Sequence, residues 1–92
     1  MIKTFRNKAL NELWAKSKAA KIDVKFHKRI LVRMGRLDAV DSVKDMDQPG
    51  YDFHPLKGFR PTRYSIHVNG PWCITFEFAD SDAYEVDLEQ YH

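Results

Sequence analysis

The sequence predicts an α+β fold: two amphipathic helices packed on one face of a twisted antiparallel sheet. Two observations carry this. Apolar residues recur at three- and four-residue steps before a change near residue 50, and at two-residue steps after it. The second half is also cut by short polar turns, spaced as in hairpin-linked strands.

Taken in order, Ile2–Phe5 reads as a short first strand, and Leu10, Leu13 and Trp14 mark the buried face of a first helix. Residues 16–21 are a polar connector. Phe26, Ile30, Met34 and Leu37 then follow at steps of four, four and three, one face of a second helix, with Asp23 as its N-cap. Asp41–Asp47 carries no core pattern and leads to the turn pair Pro49-Gly50. Tyr51–Leu56 reads as a further strand. Beyond it, Tyr64, Ile66 and Val68 alternate with Arg63, Ser65 and His67, and Asn69-Gly70 is the pair best able to supply two positive φ angles for a tight hairpin. Ile74, Phe76 and Phe78 alternate with Cys73, Thr75 and Glu77. After a turn at residues 80–82, Tyr84, Val86 and Leu88 alternate with Glu85, Asp87 and Glu89. Trp14, Phe26, Phe76 and Phe78 are core candidates. The apolar sheet face is the surface on which the helices bury, leaving Arg63, Ser65, His67, Cys73, Thr75 and Glu77 on an exposed polar face.

Composition bounds the function. A chain of 92 residues has room for one domain, spanning 1–92, and 43% hydrophobic with 30% charged residues fits neither a membrane protein nor a disordered tail. Cys73 is the sole cysteine, which excludes an intrachain disulfide framework and a multi-cysteine zinc site; His54, His67, Cys73 and His92 could be drawn together as zinc ligands but lack the local ligand spacing, so no metal or cofactor is expected. With no signal-like or membrane-length apolar run, the expected location is cytoplasmic, with no membrane partner. The net charge of +2 conceals polarity: residues 1–36 carry +9 and residues 37–92 carry −7. A basic half suits nucleic-acid phosphates or an acidic protein partner. Within the acidic half, Lys57, Arg60 and Arg63 are the only basic residues after Lys44. That cluster suits phosphate recognition, Arg supplying forked donors and Lys a mobile point charge.

His54-Pro55-Leu56-Lys57-Gly58, Ser65-Ile66-His67-Val68-Asn69, Trp72-Cys73-Ile74-Thr75-Phe76 and the ending Asp87-Leu88-Glu89-Gln90-Tyr91-His92, with the opening Ile2-Lys3-Thr4-Phe5, carry a resemblance. The chain resembles the HigB-type toxins, or plasmid-maintenance killer proteins, of the RelE/ParE superfamily. The resemblance implies a compact RelE-like fold and a toxin of a type II toxin–antitoxin system. It implies a metal-independent, ribosome-dependent endoribonuclease that cuts mRNA in the 30S A site and inhibits translation and growth. Its partners would be ribosomal RNA, mRNA and a HigA-type helix-turn-helix antitoxin, the toxin alone being a monomer and forming a higher-order complex with the antitoxin.

On the same basis the catalytic set is His54, Lys57, Tyr91 and His92. Attack by a 2′-hydroxyl on the adjacent phosphate needs a proton acceptor, a cation on the phosphate and an acid for the departing oxygen. Lys57 would hold the phosphate, His54 and His92 would move protons, and Tyr91 would stack on a base or handle a proton. Arg60, Arg63, Cys73 and Thr75 are the RNA- or phosphate-facing residues.

Two departures stand out. The family commonly has Arg where this chain has Cys73, and an acid where it has Gln90. Losing one charge-assisted transition-state contact costs about 2–4 kcal/mol, roughly 30- to 1000-fold in rate, unless Arg60 or Arg63 compensates. A weakened toxin that keeps only antitoxin binding, or a non-catalytic ParE-like binder of DNA gyrase, are the alternatives.

Overall fold

The computed structural model describes residues 1–90 and has the order α1 (Lys8–Lys16), α2 (Val24–Ala39), a single 3-10 turn (Val43–Met46), then β1 (His54–Leu56), β2 (Arg63–Asn69), β3 (Trp72–Ala79) and β4 (Asp82–Gln90). The strands form one antiparallel sheet in the order β1-β2-β3-β4. Both helices begin on side-chain caps. Asn7 accepts from the Leu10 amide at 3.0 Å and Asp23 from the Lys25 amide at 3.1 Å, each satisfying an amide the helix leaves open. Leu10 and Leu13 of α1, with Ile30, Met34 and Leu37 of α2, meet Ile66, Val68, Ile74, Phe76 and Val86 of the sheet, none more than 1% exposed. Phe53, Tyr64 and Phe76 stack across this side, with ring centroids 5.6 and 5.9 Å apart. Among the described residues, no helix is long and apolar enough to cross a membrane.

Four local expectations are corrected. Residues 2–5 make two isolated parallel bridges to β4, Ile2 to Ala83 and Phe5 to Val86, rather than a regular strand. The interruption lies at Glu85, whose φ of 51° bulges β4, and the Thr4 hydroxyl fills the gap by accepting from the Glu85 amide at 2.8 Å. The same bulge reverses side-chain parity: Ala83 takes the core-facing place and Tyr84 lies opposite Glu77 on the polar face. At the first hairpin the two central residues are Gly70 and Pro71, between paired Asn69 and Trp72, with positive φ at Gly70 alone. Proline fixes its own φ negative, so the double-positive turn cannot form there. It forms instead at Asp80–Ser81, with φ of 52° and 66°. Finally, Asp41–Asp47 does contribute to the core, because Met46 in the 3-10 turn is fully buried.

Candidate functional site

The antiparallel register turns the polar sheet face into a grid. Ser65 stands between His54 and Thr75, and Thr75 is opposite Asp87. His67, Cys73 and Glu89 form a second row, and Leu56, Arg63, Glu77 and Tyr84 a third. A cleft of about 390 Å³ opens at the β1–β2 side, lined by Asp52, His54, Leu56, Ser65, His67 and Cys73. A larger groove of about 650 Å³, lined by Arg36, Asp41, Asp45 and Gln48 among others, contains none of the expected site residues.

Backbone acceptors orient both histidines of the cleft. His54 Nδ1 lies 2.7 Å from the Asp52 carbonyl oxygen, which can only accept. Nδ1 therefore carries the proton and Nε2 is the acceptor of the neutral ring. Asp52 reaches this position through a left-handed φ of 46°. His67 has the opposite tautomer, Nε2 donating to the Gly70 carbonyl at 3.0 Å. The β2 end beneath it is tied to α2: Arg33 Nε donates to the His67 carbonyl at 2.7 Å and Arg29 to the Val68 carbonyl at 3.2 Å. Arg33 also lies over the Tyr51 ring, 4.5 Å from its centroid. Burial pulls the Arg33 guanidinium down from its usual value, Tyr51 opposes that shift, and Arg29 adds to it.

The polar face is not uniformly exposed, as alternation alone suggested. Arg63, Ser65 and Thr75 are at most 2% exposed. Arg63 donates to Glu85 O at 2.9 Å and Thr75 Oγ1 at 3.0 Å, and pairs with Glu77 at 3.4 Å. Thr75 in turn donates to Glu89. A buried chain from Arg63 through Thr75 to Glu89 thus underlies the face. Sequence reasoning missed it, although the shared parity of positions 63, 75 and 89 was the available signal. The two terminal nitrogens of the Arg63 guanidinium are spent on protein acceptors, while its Nε is buried with no partner among the described residues. Lys57 and Arg60 are exposed in the segment joining β1 to β2.

His54, Cys73 and Ser65 are thus brought into one cleft, and Lys57 follows one residue after β1 ends. Tyr91 and His92 lie outside the described residues. Ser65 is the residue that sequence reasoning left without a role. Its hydroxyl is buried and has no hydrogen-bond partner among the described residues. Within the described residues, no three His, Cys, Asp or Glu side chains are grouped as metal ligands.

Residues 3–92 match a family model described as the RelE-like toxin of the type II toxin-antitoxin system HigB. The chain is also 36% identical over 92 residues to a protein of Proteus vulgaris named Endoribonuclease HigB, covering 100% of both chains.

Proposed function

The chain belongs to the HigB-like family of RelE-like toxins of type II toxin–antitoxin systems, and from that premise we propose that it is an endoribonuclease cutting mRNA in the ribosomal A site. As a type II toxin it has an antitoxin for a partner; a helix-turn-helix protein of the HigA type is the form proposed here. The reading extends to residues 1–92 acting as one toxin domain in the cytoplasm. The nuclease name of the relative supports the reaction class.

The observation that carries the mechanism is the orientation of His54. With Nδ1 held by the Asp52 carbonyl, the Nε2 lone pair is available to a hydroxyl in the cleft. His54 accepts the ribose 2′ proton, the 2′-oxygen attacks the adjacent phosphorus, and the P–O5′ bond breaks. His92 returns a proton to the departing 5′-oxygen, leaving a 2′,3′-cyclic phosphate and a 5′-hydroxyl. Lys57 and Arg60 neutralise the phosphate, and Tyr91 stacks on a base. Proton transfer by a placed side chain contributes about 10²- to 10⁴-fold.

Cys73 favours a second reading, a slow toxin. Among the described residues, the cleft is lined by no Lys or Arg, and a thiol cannot supply a fixed positive charge to the phosphate. Both readings are tested by adding the protein to an in vitro translation reaction and mapping mRNA 5′ ends by primer extension. A-site cuts that require ribosomes and fall at least 100-fold in His54→Ala support the nuclease. Normal translation with no cuts, at any protein concentration, would remove it and leave antitoxin binding or gyrase binding as the activity.

A further inference from the structure

We infer that Ser65 is a substrate-contacting residue of this site, its hydroxyl holding the ribose 2′-oxygen that is presented to His54. The inference deepens the nuclease reading and rests on it. Its starting point is a defect in the free protein. Ser65 is 1% exposed, and its Oγ is buried with no hydrogen-bond partner among the described residues. Buried polar groups are almost always paired, because an unpaired one costs stability and gives nothing back. The neighbouring Thr75 shows what this sheet does with a hydroxyl that serves structure: it accepts from Arg63 and donates to Glu89. Ser65, the cross-strand neighbour of Thr75, is left out of that chain.

The unpaired hydroxyl is also placed where a ligand would enter. Ser65 forms part of the floor of the 390 Å³ cleft, and its partner across the β1–β2 ladder is His54. His54 is exposed, so a group entering the cleft meets it beside the buried Ser65. The chemistry of the lining selects that group. Neither Lys nor Arg lines this cleft among the described residues, so its lining offers hydrogen-bonding groups rather than fixed positive charge. His54 Nε2 requires a donor, because Nδ1 already donates to Asp52. A ribose hydroxyl meets both demands at once, donating to His54 and accepting from Ser65. As the 2′ proton leaves, charge grows on the oxygen that Ser65 holds, so this hydrogen bond strengthens toward the transition state.

Two measurements on Ser65→Ala test the assignment. In the ribosome-dependent assay, the single-turnover rate at saturating protein falls about 10- to 100-fold, while the half-saturating concentration stays within about threefold. The melting temperature of the same variant holds or rises, by up to about 4–8 °C, since the change removes an unpaired buried hydroxyl. A serine with a purely structural role would lose stability instead. A variant that cuts at the parental rate, or one that loses stability along with activity, would overturn the proposal.

A third measurement separates this idea from the nuclease reading. Nuclear magnetic resonance follows the His54 ring and the Ser65 amide while adenylyl-(3′,5′)-adenosine, or its 2′-deoxy counterpart, is added to the isolated protein. The ribose form moves both signals further than the deoxy form in the parent, and the difference disappears in Ser65→Ala. That outcome supports the serine's role even if the parent fails to cut mRNA on ribosomes, a failure that would count against the nuclease alone. Equal responses to the two dinucleotides, or none to either, would overturn it.

Discussion

Arg63 offers a direct contest between a structural cation and a substrate-binding one. Its guanidinium is 2% exposed and reaches Glu77, Thr75 and the Glu85 carbonyl. Arg63→Ala strips these acceptors of their donor and empties the side-chain volume. Breaking a buried pair by deleting one partner costs about 3–5 kcal/mol. Glu77 is 21% exposed and regains some water, which places the expectation near the lower bound, about 3 kcal/mol. A domain of this size has only about 5–14 kcal/mol in total. With a slope near 1 kcal/mol per molar, the urea midpoint at pH 7 falls by about 3 M. Arg63→Lys loses about 1–2 kcal/mol, since a point charge cannot span acceptors on β3 and β4 together. Both losses are insensitive to added sodium chloride, because the pair is shielded from the ionic atmosphere. A midpoint shift below about 0.5 M in Arg63→Ala, with RNA cleavage abolished, would refute this reasoning and assign the guanidinium to the substrate.

Two further outcomes are expected. Cys73→Arg places a guanidinium in the row between His67 and Glu89 and raises the ribosome-dependent cleavage rate about 10-fold or more, read by primer extension; an unchanged rate would show that the thiol is no handicap. Ser81→Gly relieves a left-handed φ of 66° at the β3–β4 turn and raises stability by up to about 1 kcal/mol, measured as the urea midpoint; a loss of stability would mean that the turn tolerates serine without strain.

Much of the architecture was readable because it rests on repetition. The stepping of Phe26, Ile30, Met34 and Leu37 and the alternation through Tyr64–Val68 and Ile74–Phe78 are each repeated several times, so one irregular residue cannot disguise them. The misreadings came from single-residue events. The left-handed conformation of Glu85 moves Tyr84 to the other face, and no pattern of polar and apolar residues announces it. Pro71 did announce its effect on the first turn, through a ring that fixes φ, but the Asn69-Gly70 pair before it gave the stronger signal. Burial of the polar face was hidden for a different reason. Alternation reports which side a residue faces and not whether its neighbours cover it, so Arg63 and Thr75 looked solvated although they are buried and hydrogen-bonded to each other.

The site was legible only in part. His54 and Lys57 stood out through their motif, which carries the family resemblance, while the Asp52 carbonyl that sets the tautomer belongs to the backbone and leaves no trace in residue type. Ser65 was visible merely as one of several polar residues. Its hydroxyl, like Arg63 Nε, lacks a hydrogen bond among the described residues, a property that exists only once the fold has brought the other polar groups to their partners.

The bridges between residues 1–6 and β4 also constrain the order in which the molecule can assemble. Lys3 donates to Ala83 and Arg6 to Val86, so these residues are satisfied by partners far along the sequence. The helices can form from local contacts, but this seam must wait until nearly the whole segment is available, and closing so long a loop is slow. Until then the outer edge of β4 has open amides and carbonyls, a template for another chain. Residues 2–6 therefore serve the finished fold as a cover for an edge that would otherwise be open.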